Sequence, residues 1–414
     1  MRLQHRNGRV AVVAFEVLAA KSGGEFRLHN FATTMEPDRI VILADESANW
    51  RVAGLPQLQR LALALNKFAK TPPRERKIDI FVVWRPSIAP EQRWLPEDQG
   101  LVRCQLHSAT HSEVLAGARV LSTRLLLDWR ALADLISIAP TTQGQSPSWE
   151  ELAGACDRAF RNATAAWRCI HDTAEIPQAE RWLLRQSGKS QDGVVAKLVN
   201  RPVSRALSRL LLKTSLGPDV WTLSVLVLPL AGFLFLCRGD YVGFVAGALV
   251  FQIFSIVDGC DGEIARAKYL ESERGRWLDN LCDVAGNILF ALGLGLGLQR
   301  LHAGWSATEG MLCAGAVAVN EWLLADTRCE TGSGGARLNE TFYPRHRAML
   351  RRAGLLFVPE QFWALLFQLT KRDVATLFFL LLAIAGRAQW ILHLWTVVAV
   401  STLLLALIAR LRAG

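Results

Sequence analysis

The chain has 414 residues, 51 % hydrophobic and only 20 % charged, with a net charge of +10 and a mean hydropathy of +0.20. That length favours more than one domain, and the composition excludes a disordered, collagenous or coiled-coil chain. Residues 1–190 hold 25 Lys+Arg against 20 Asp+Glu and residues 191–414 hold 22 against 17, an even basic excess unlike the concentrated basic domain of a nucleic-acid binder.

In chain order, Met1 to Arg6 lacks an apolar signal segment, so the N-terminal half is expected in the cytoplasm. Val10–Phe15, Arg39–Ala44 and Ile78–Trp84 are β-branched-rich runs expected as strands. Leu55–Phe68 places apolar residues at 55, 58, 61, 62, 65 and 68, which is helical spacing. Strand, helix and strand predict a βαβ unit with parallel strands, so residues 1–150 are expected to form an α/β domain. Pro140–Ser148 has linker composition, and Glu150–Leu184 has helical composition, which assigns 151–191 to a helical linker. The eight cysteines are scattered with no C-x-x-C pair, so reduced thiols are expected rather than zinc or redox motifs.

Over 192–216 the basic residues Lys197, Arg201, Arg205, Arg209 and Lys213 recur every four positions. This predicts an amphipathic juxtamembrane helix with its basic face near anionic lipid phosphates. An ordinary solvated helix face fits the same spacing. Residues 217–414 then contain six charge-free runs: Val220–Cys237, Tyr241–Val257, Val284–Leu298, Gly310–Asn320, Val374–Gly386 and Ala388–Ala409. They predict six transmembrane helices in an all-α membrane domain. With the N-terminus inside, eighteen basic residues fall on inner segments, against Arg238, Arg300 and Arg387 outside. That bias places both termini and the inner loops in the cytoplasm.

The chemical signal lies between Val257 and Asp283. Asp258 and Asp261 are three apart and Asp279 and Asp283 four apart, so each pair shares a helix face. Four carboxylates at the ends of apolar helices are costly unless compensated. Hard oxygen donors suit Mg²⁺, Mn²⁺ or Ca²⁺, and four of them can hold two ions that steady phosphate oxygens. Arg266 is placed to meet a phosphate, while Gly262, Ala265 and Gly275 lack bulk and permit close approach of a nucleotide. A structural network of acids with Arg266 as counter-ion is the alternative at this level.

The arrangement D-x-x-D-G-x-x-A-R-x(8)-G-x-x-x-D-x-x-x-D resembles the signature of the CDP-alcohol phosphotransferases, and Asp258, Asp261, Gly262, Ala265, Arg266, Gly275, Asp279 and Asp283 meet every fixed position. The resemblance covers roughly 192–414. It implies a six-helix membrane enzyme, often a homodimer, whose site faces the cytoplasm. It further implies that Asp258, Asp261, Asp279 and Asp283 ligate two divalent ions, Mg²⁺ or Mn²⁺. Asp283 would also act as general base on the acceptor hydroxyl, and Gly262, Ala265, Arg266 and Gly275 would receive the CDP moiety. The reaction implied is attack of an alcohol on a CDP-alcohol, expected to be CDP-diacylglycerol, with release of CMP in phospholipid biosynthesis. The acceptor alcohol is not legible.

Pro218-Asp219-Val220-Trp221-Thr222 is similar to the family's Pro-Asn-x-x-Thr, with Asp219 in place of the Asn. Lys371 and Arg372 are placed to bind an acceptor phosphate or lipid headgroup, or serve only as flanking positive-inside charge. Ile42–Glu46 and Val52–Leu61 resemble the opening of a sugar-phosphate nucleotidyltransferase domain, found fused in bifunctional inositol-phosphate cytidylyltransferase/phospho-inositol phosphate synthases. Here the phosphate-cradling glycines are absent between Ala44 and Val52. A degenerate docking or regulatory domain is therefore expected. The alternatives are a bifunctional polyol-phosphate cytidylyltransferase/CDP-polyol phosphotransferase and, from a different class, an ion-coupled membrane transporter.

Overall fold

The computed structural model describes residues 39–71, 77–97, 100–110, 117–142, 148–162, 166–187, 195–214, 217–302, 304–330 and 371–411. The run predicted as a strand at Val10–Phe15 lies outside them.

Strand β1 (Arg39–Ala44) is followed by the short strands β2 (Arg51–Val52) and β3 (Leu55–Pro56), helix α1 (Gln57–Lys70), β4 (Ile78–Trp84), β5 (Cys104–Ala109) and β6 (Arg119–Ser122). The main sheet has the order β5-β4-β1-β6 and is parallel throughout. β1 and β4 run from Arg39 opposite Asp79 to Ala44 opposite Trp84, as the βαβ expectation requires. After Arg39, β1 is an unbroken buried apolar run, the mark of a strand covered on both faces.

On one face α1 buries Leu58, Leu61, Leu65 and Phe68. After β7 (Leu125–Leu127) and α2 (Leu132–Ile138), α3 (Trp149–Ala159) adds Trp149, Leu152 and Cys156 to the same core. Ser148 and Glu151 form a capping box at the start of α3. Ser148→Ala is expected to cost about 1 kcal/mol, read as a lowered thermal midpoint.

The helical composition of 150–184 resolves into α3 and α4 (Ile176–Gln186) with strand β8 (Trp167–Cys169) between them, paired antiparallel to β7. Pro140 and Thr142 already bond to Val120 and Ala118 beside the sheet.

A π-helical turn at Ala196–Asn200 leads into α5 (Arg201–Leu211). Then come α6 (Pro218–Val225), α7 (Val227–Leu236), α8 (Tyr241–Val257), α9 (Gly259–Lys268), α10 (Glu273–His302), α11 (Ser306–Glu330), α12 (Arg372–Ile384) and α13 (Ala388–Leu411). Among the described residues four helices are long and apolar enough to cross a membrane: Pro218–Leu236, Tyr241–Lys268, Glu273–His302 and Ala388–Ile408. The fourth and fifth expected spans also fall on helices but do not reach that standard. α11 carries Glu309, Asn320 and Glu321, and the 13 residues of α12 extend only ~20 Å against a hydrocarbon core of ~30 Å.

The bundle closes on an aromatic core. Phe290 stacks on Phe251 at 4.2 Å and on Phe379 at 6.0 Å, and Trp395 lies 5.5 Å from Phe379. α10 and α11 meet backbone to backbone at Gly310, where a Cβ would stand 2.9 Å from the Ala291 carbonyl oxygen.

A further apolar cluster joins the two parts. Val52, Ala53, Leu126 and Leu184 pack with Leu212, Cys260, Ile264 and Ala267. The α/β part therefore rests on α9, the helix that carries the first half of the acidic motif.

Candidate active site

α8 and α9 form one 28-residue helix, Tyr241–Lys268. At 1.5 Å per residue it is about 42 Å long, and Asp258 lies about 26 Å from its start, near the edge of a ~30 Å hydrocarbon layer. Asp279 and Asp283 occupy successive turns near the start of α10. The connection between α9 and α10 is four residues, 269–272, so the two acidic faces are folded against each other. One carboxylate oxygen from each of Asp258, Asp279 and Asp283 lies within 4.8 Å of the others, and all three residues are half-buried.

Asp261 stands beside this group. Its Oδ2 accepts the Thr222 hydroxyl at 2.6 Å, and its Oδ1 accepts the Gly262 amide at 2.5 Å. The Pro218–Thr222 stretch thus braces the motif: Trp221 Nε1 donates to the Val257 carbonyl at 3.3 Å, and a Cβ on Gly275 would meet Asp219 Oδ1 at 3.2 Å.

Arg372 enters the acidic group from α12. Its Nη1 donates to Asp258 Oδ2 at 3.2 Å and also to Asp283 Oδ1, while the guanidinium lies 4.6 Å from the Phe254 ring centroid. Three carboxylates against one guanidinium leave two formal negative charges in excess. A hard, anionic, oxygen-only donor set of this kind fits a divalent cation such as Mg²⁺ or Mn²⁺.

Of the residues expected to receive a nucleotide, Gly262 leaves the space into which Arg266 folds. A Cβ there would stand 2.8 Å from Arg266 Nη1. Arg266 Nε donates to the Ser187 carbonyl at 2.6 Å, and Ala265 is half-buried one position before it. Lys371 caps the start of α12, and Asp373 accepts the Ala196 amide at 2.7 Å.

Arg201 departs from the expected basic stripe. It is buried, and its Nη1 donates to Glu263 Oε1 at 2.9 Å. Glu263 is fully buried within α9 and also accepts Ser204 Oγ at 2.9 Å and Ser208 Oγ at 2.8 Å. Sequence reasoning passed over Glu263. The available signal was Arg201, Ser204 and Ser208 at three- and four-residue spacing, a polar seam on a helix otherwise read by its basic residues.

The α/β part touches the same helix. Arg60 is buried at the contact and Tyr269 is half-buried beside it. Burial pulls the Arg60 guanidinium down to about 10 and pushes the Tyr269 phenol up to about 12, so at neutral pH Arg60 is charged and Tyr269 is not.

Residues 216–403, which contain the whole acidic motif, match the family model described as CDP-alcohol phosphatidyltransferase. The C-terminal part of the chain is thus similar to CDP-alcohol phosphatidyltransferases. The chain is 36 % identical over 182 residues to the "Bifunctional IPC transferase and DIPP synthase" of Rubrobacter xylanophilus, covering 41 % of this chain and 40 % of that protein. Proteins of the same description from Archaeoglobus fulgidus (30 % over 125 residues, 30 % of this chain and 24 % of that one) and Thermococcus kodakarensis (32 % over 129 residues, 30 % and 29 %) are also similar. The matches thus span less than half the length of each of these relatives. Within the matched residues, Asp258, Asp279 and Asp283 meet where α8, α9 and α10 converge.

Proposed function

We propose that the membrane part of the chain transfers a substituted phosphate from a CDP-alcohol to an alcohol acceptor, releasing CMP. The observation that carries this is the meeting of Asp258, Asp279 and Asp283 at the ends of two apolar helices within the matched domain. Asp258, Asp261, Asp279 and Asp283 would hold two divalent ions. When bound, such ions offset the charge of a diphosphate.

Asp283 takes the proton of the acceptor hydroxyl on a carboxylate oxygen. The acceptor oxygen then bonds to the phosphorus nearer the donor alcohol, and the bond from that phosphorus to the CMP oxygen breaks. Gly262, Ala265 and Gly275 give the nucleotide room, and Arg266 meets its phosphates. Lys371 and Arg372 face the acceptor phosphate or headgroup. Among the described residues Arg372 Nε and Nη2 are buried without hydrogen-bond partners, which supports an anion there. The excess of basic residues on the inner segments supports a site open to the cytoplasm.

CDP-diacylglycerol is the donor expected from the resemblance. A soluble CDP-polyol is the second reading, favoured by the description of the relatives as IPC transferase and DIPP synthase. The test supplies each donor separately to the full chain in lipid nanodiscs with Mg²⁺ or Mn²⁺ and mixed alcohols, and measures CMP. CMP from one donor class is expected, abolished by EDTA and restored by Mn²⁺. CMP formation unaffected by EDTA would contradict the metal assignment.

The α/β part is assigned to docking rather than CTP turnover. The crevice at the carboxyl ends of β1 and β6, where such sheets bind ligands, holds Asp45 paired to Arg124 at 2.8 Å. Asp45 also caps the 3₁₀ turn Glu46–Asn49, which stands in place of a glycine loop. Beyond that turn Trp50, Val52 and Ala53 are packed against the membrane part. No pyrophosphate release from CTP is expected.

A further inference from the structure

The last turn of α9 is closed from outside its own chain segment. The final carbonyls of a helix lack intrahelical partners. Here Leu270 N satisfies the Ala265 carbonyl at 2.8 Å and Tyr269 N approaches that of Arg266 at 3.5 Å. The Ala267 carbonyl is taken by Arg60 Nη1 at 2.6 Å, from α1 of the α/β part. The other arm of the same guanidinium, Nη2, donates to the Val52 carbonyl at 2.5 Å. Arg60 is 3 % exposed, and its planar fork spans two carbonyls from the two parts of the molecule. A cation at this end of α9 also complements the helix dipole.

The residue after the turn is under constraint. Tyr269 has φ 56°, a left-handed conformation that a non-glycine residue adopts at a cost. Its ring lies 6.0 Å from the Arg60 guanidinium and 5.9 Å from the Lys67 ammonium. Lys67 is in turn ion-paired to Glu271. One face of α1 therefore grips the end of α9 and the connection after it at three points, Ala267, Tyr269 and Glu271. That connection joins the helix bearing Asp258 and Asp261 to the helix bearing Asp279 and Asp283.

We propose that Arg60 is a positioning residue for the membrane site: by closing α9 and holding the 269–272 turn, it sets the spacing between the two carboxylate pairs. This rests on the site proposed above. Arg60 touches neither substrate nor metal, and it acts through the backbone at Ala267.

The test uses Mn²⁺ alone as probe, titrated by electron paramagnetic resonance into the full chain in nanodiscs without substrate. Arg60→Ala is expected to weaken Mn²⁺ binding by about tenfold, the effect of losing an outer-shell support. In the CMP assay kcat falls with it, while KM for the donor stays within about threefold. Arg60→Lys keeps the charge but cannot bridge both carbonyls, so it recovers only part of the affinity. It also serves as the deciding variant if Arg60→Ala does not fold. Variants that melt earlier but bind Mn²⁺ like the wild type would show a purely structural contact and overturn the proposal. Wild-type protein that binds no Mn²⁺ would overturn the site itself, and the role of Arg60 with it.

Discussion

Asp283→Asn is expected to lower CMP release from a CDP-alcohol by about a thousand-fold, within the range lost when a general base is removed. Asn matches Asp in shape, and its carbonyl oxygen can still accept from Arg372 Nη1, the bond now made to Asp283 Oδ1. The packing of α10 against α12 should therefore survive, and the thermal midpoint should stay close to that of the wild type. What disappears is the capacity to take a proton and one negative charge of the acidic group. Steady-state CMP release and a melting curve on the same preparation separate the two effects. A rate within tenfold of the wild type would remove Asp283 from the base role.

Glu263→Ala carries the largest expected cost in stability. The carboxylate is fully buried and accepts from Arg201, Ser204 and Ser208 at 2.8–2.9 Å. Truncation removes the buried carboxylate to which Arg201, Ser204 and Ser208 donate, a loss of about 3–5 kcal/mol. Glu263→Gln keeps an acceptor and should cost less. Arg201→Ala combined with Glu263→Ala should recover part of the loss, because both charges of the buried pair are then gone. Thermal unfolding of the four proteins in detergent gives the cycle. A Glu263→Ala protein as stable as the wild type would contradict the network.

What was legible in the sequence was local. Arg39–Ala44 and Ile78–Trp84 are strands to the residue, because a short β-branched-rich run records a largely buried strand in its own composition. The acidic pairs were legible because three- and four-residue spacings fix a shared helix face before any tertiary contact forms.

The start of α1 was less legible. Leu55 fits the helical period but belongs with Pro56 to β3, because Ala53 and Gly54, at φ 50° and 79°, turn the chain into a two-residue hairpin first. The partners of the motif were not legible at all. Glu263 occupies an unconstrained position of the motif, and Arg201 is 62 residues away along the chain. Arg60 is 207 residues from the carbonyl it closes. No periodicity encodes such pairings. The same limit explains Arg201, whose spacing places it with the surface basic residues while its contacts place it inside.

Transfer of a substituted phosphate from a CDP-alcohol is the reaction expected at the acidic group of α9 and α10. It is tested most directly by quantifying CMP and the new phosphodiester together, in nanodiscs holding either the wild type or Asp258→Asn. With Mn²⁺, a CDP-alcohol and mixed alcohols, wild-type protein should yield CMP and phosphodiester in equal amounts, and Asp258→Asn should yield neither. No CMP from any CDP-alcohol, or undiminished CMP from Asp258→Asn, would contradict it.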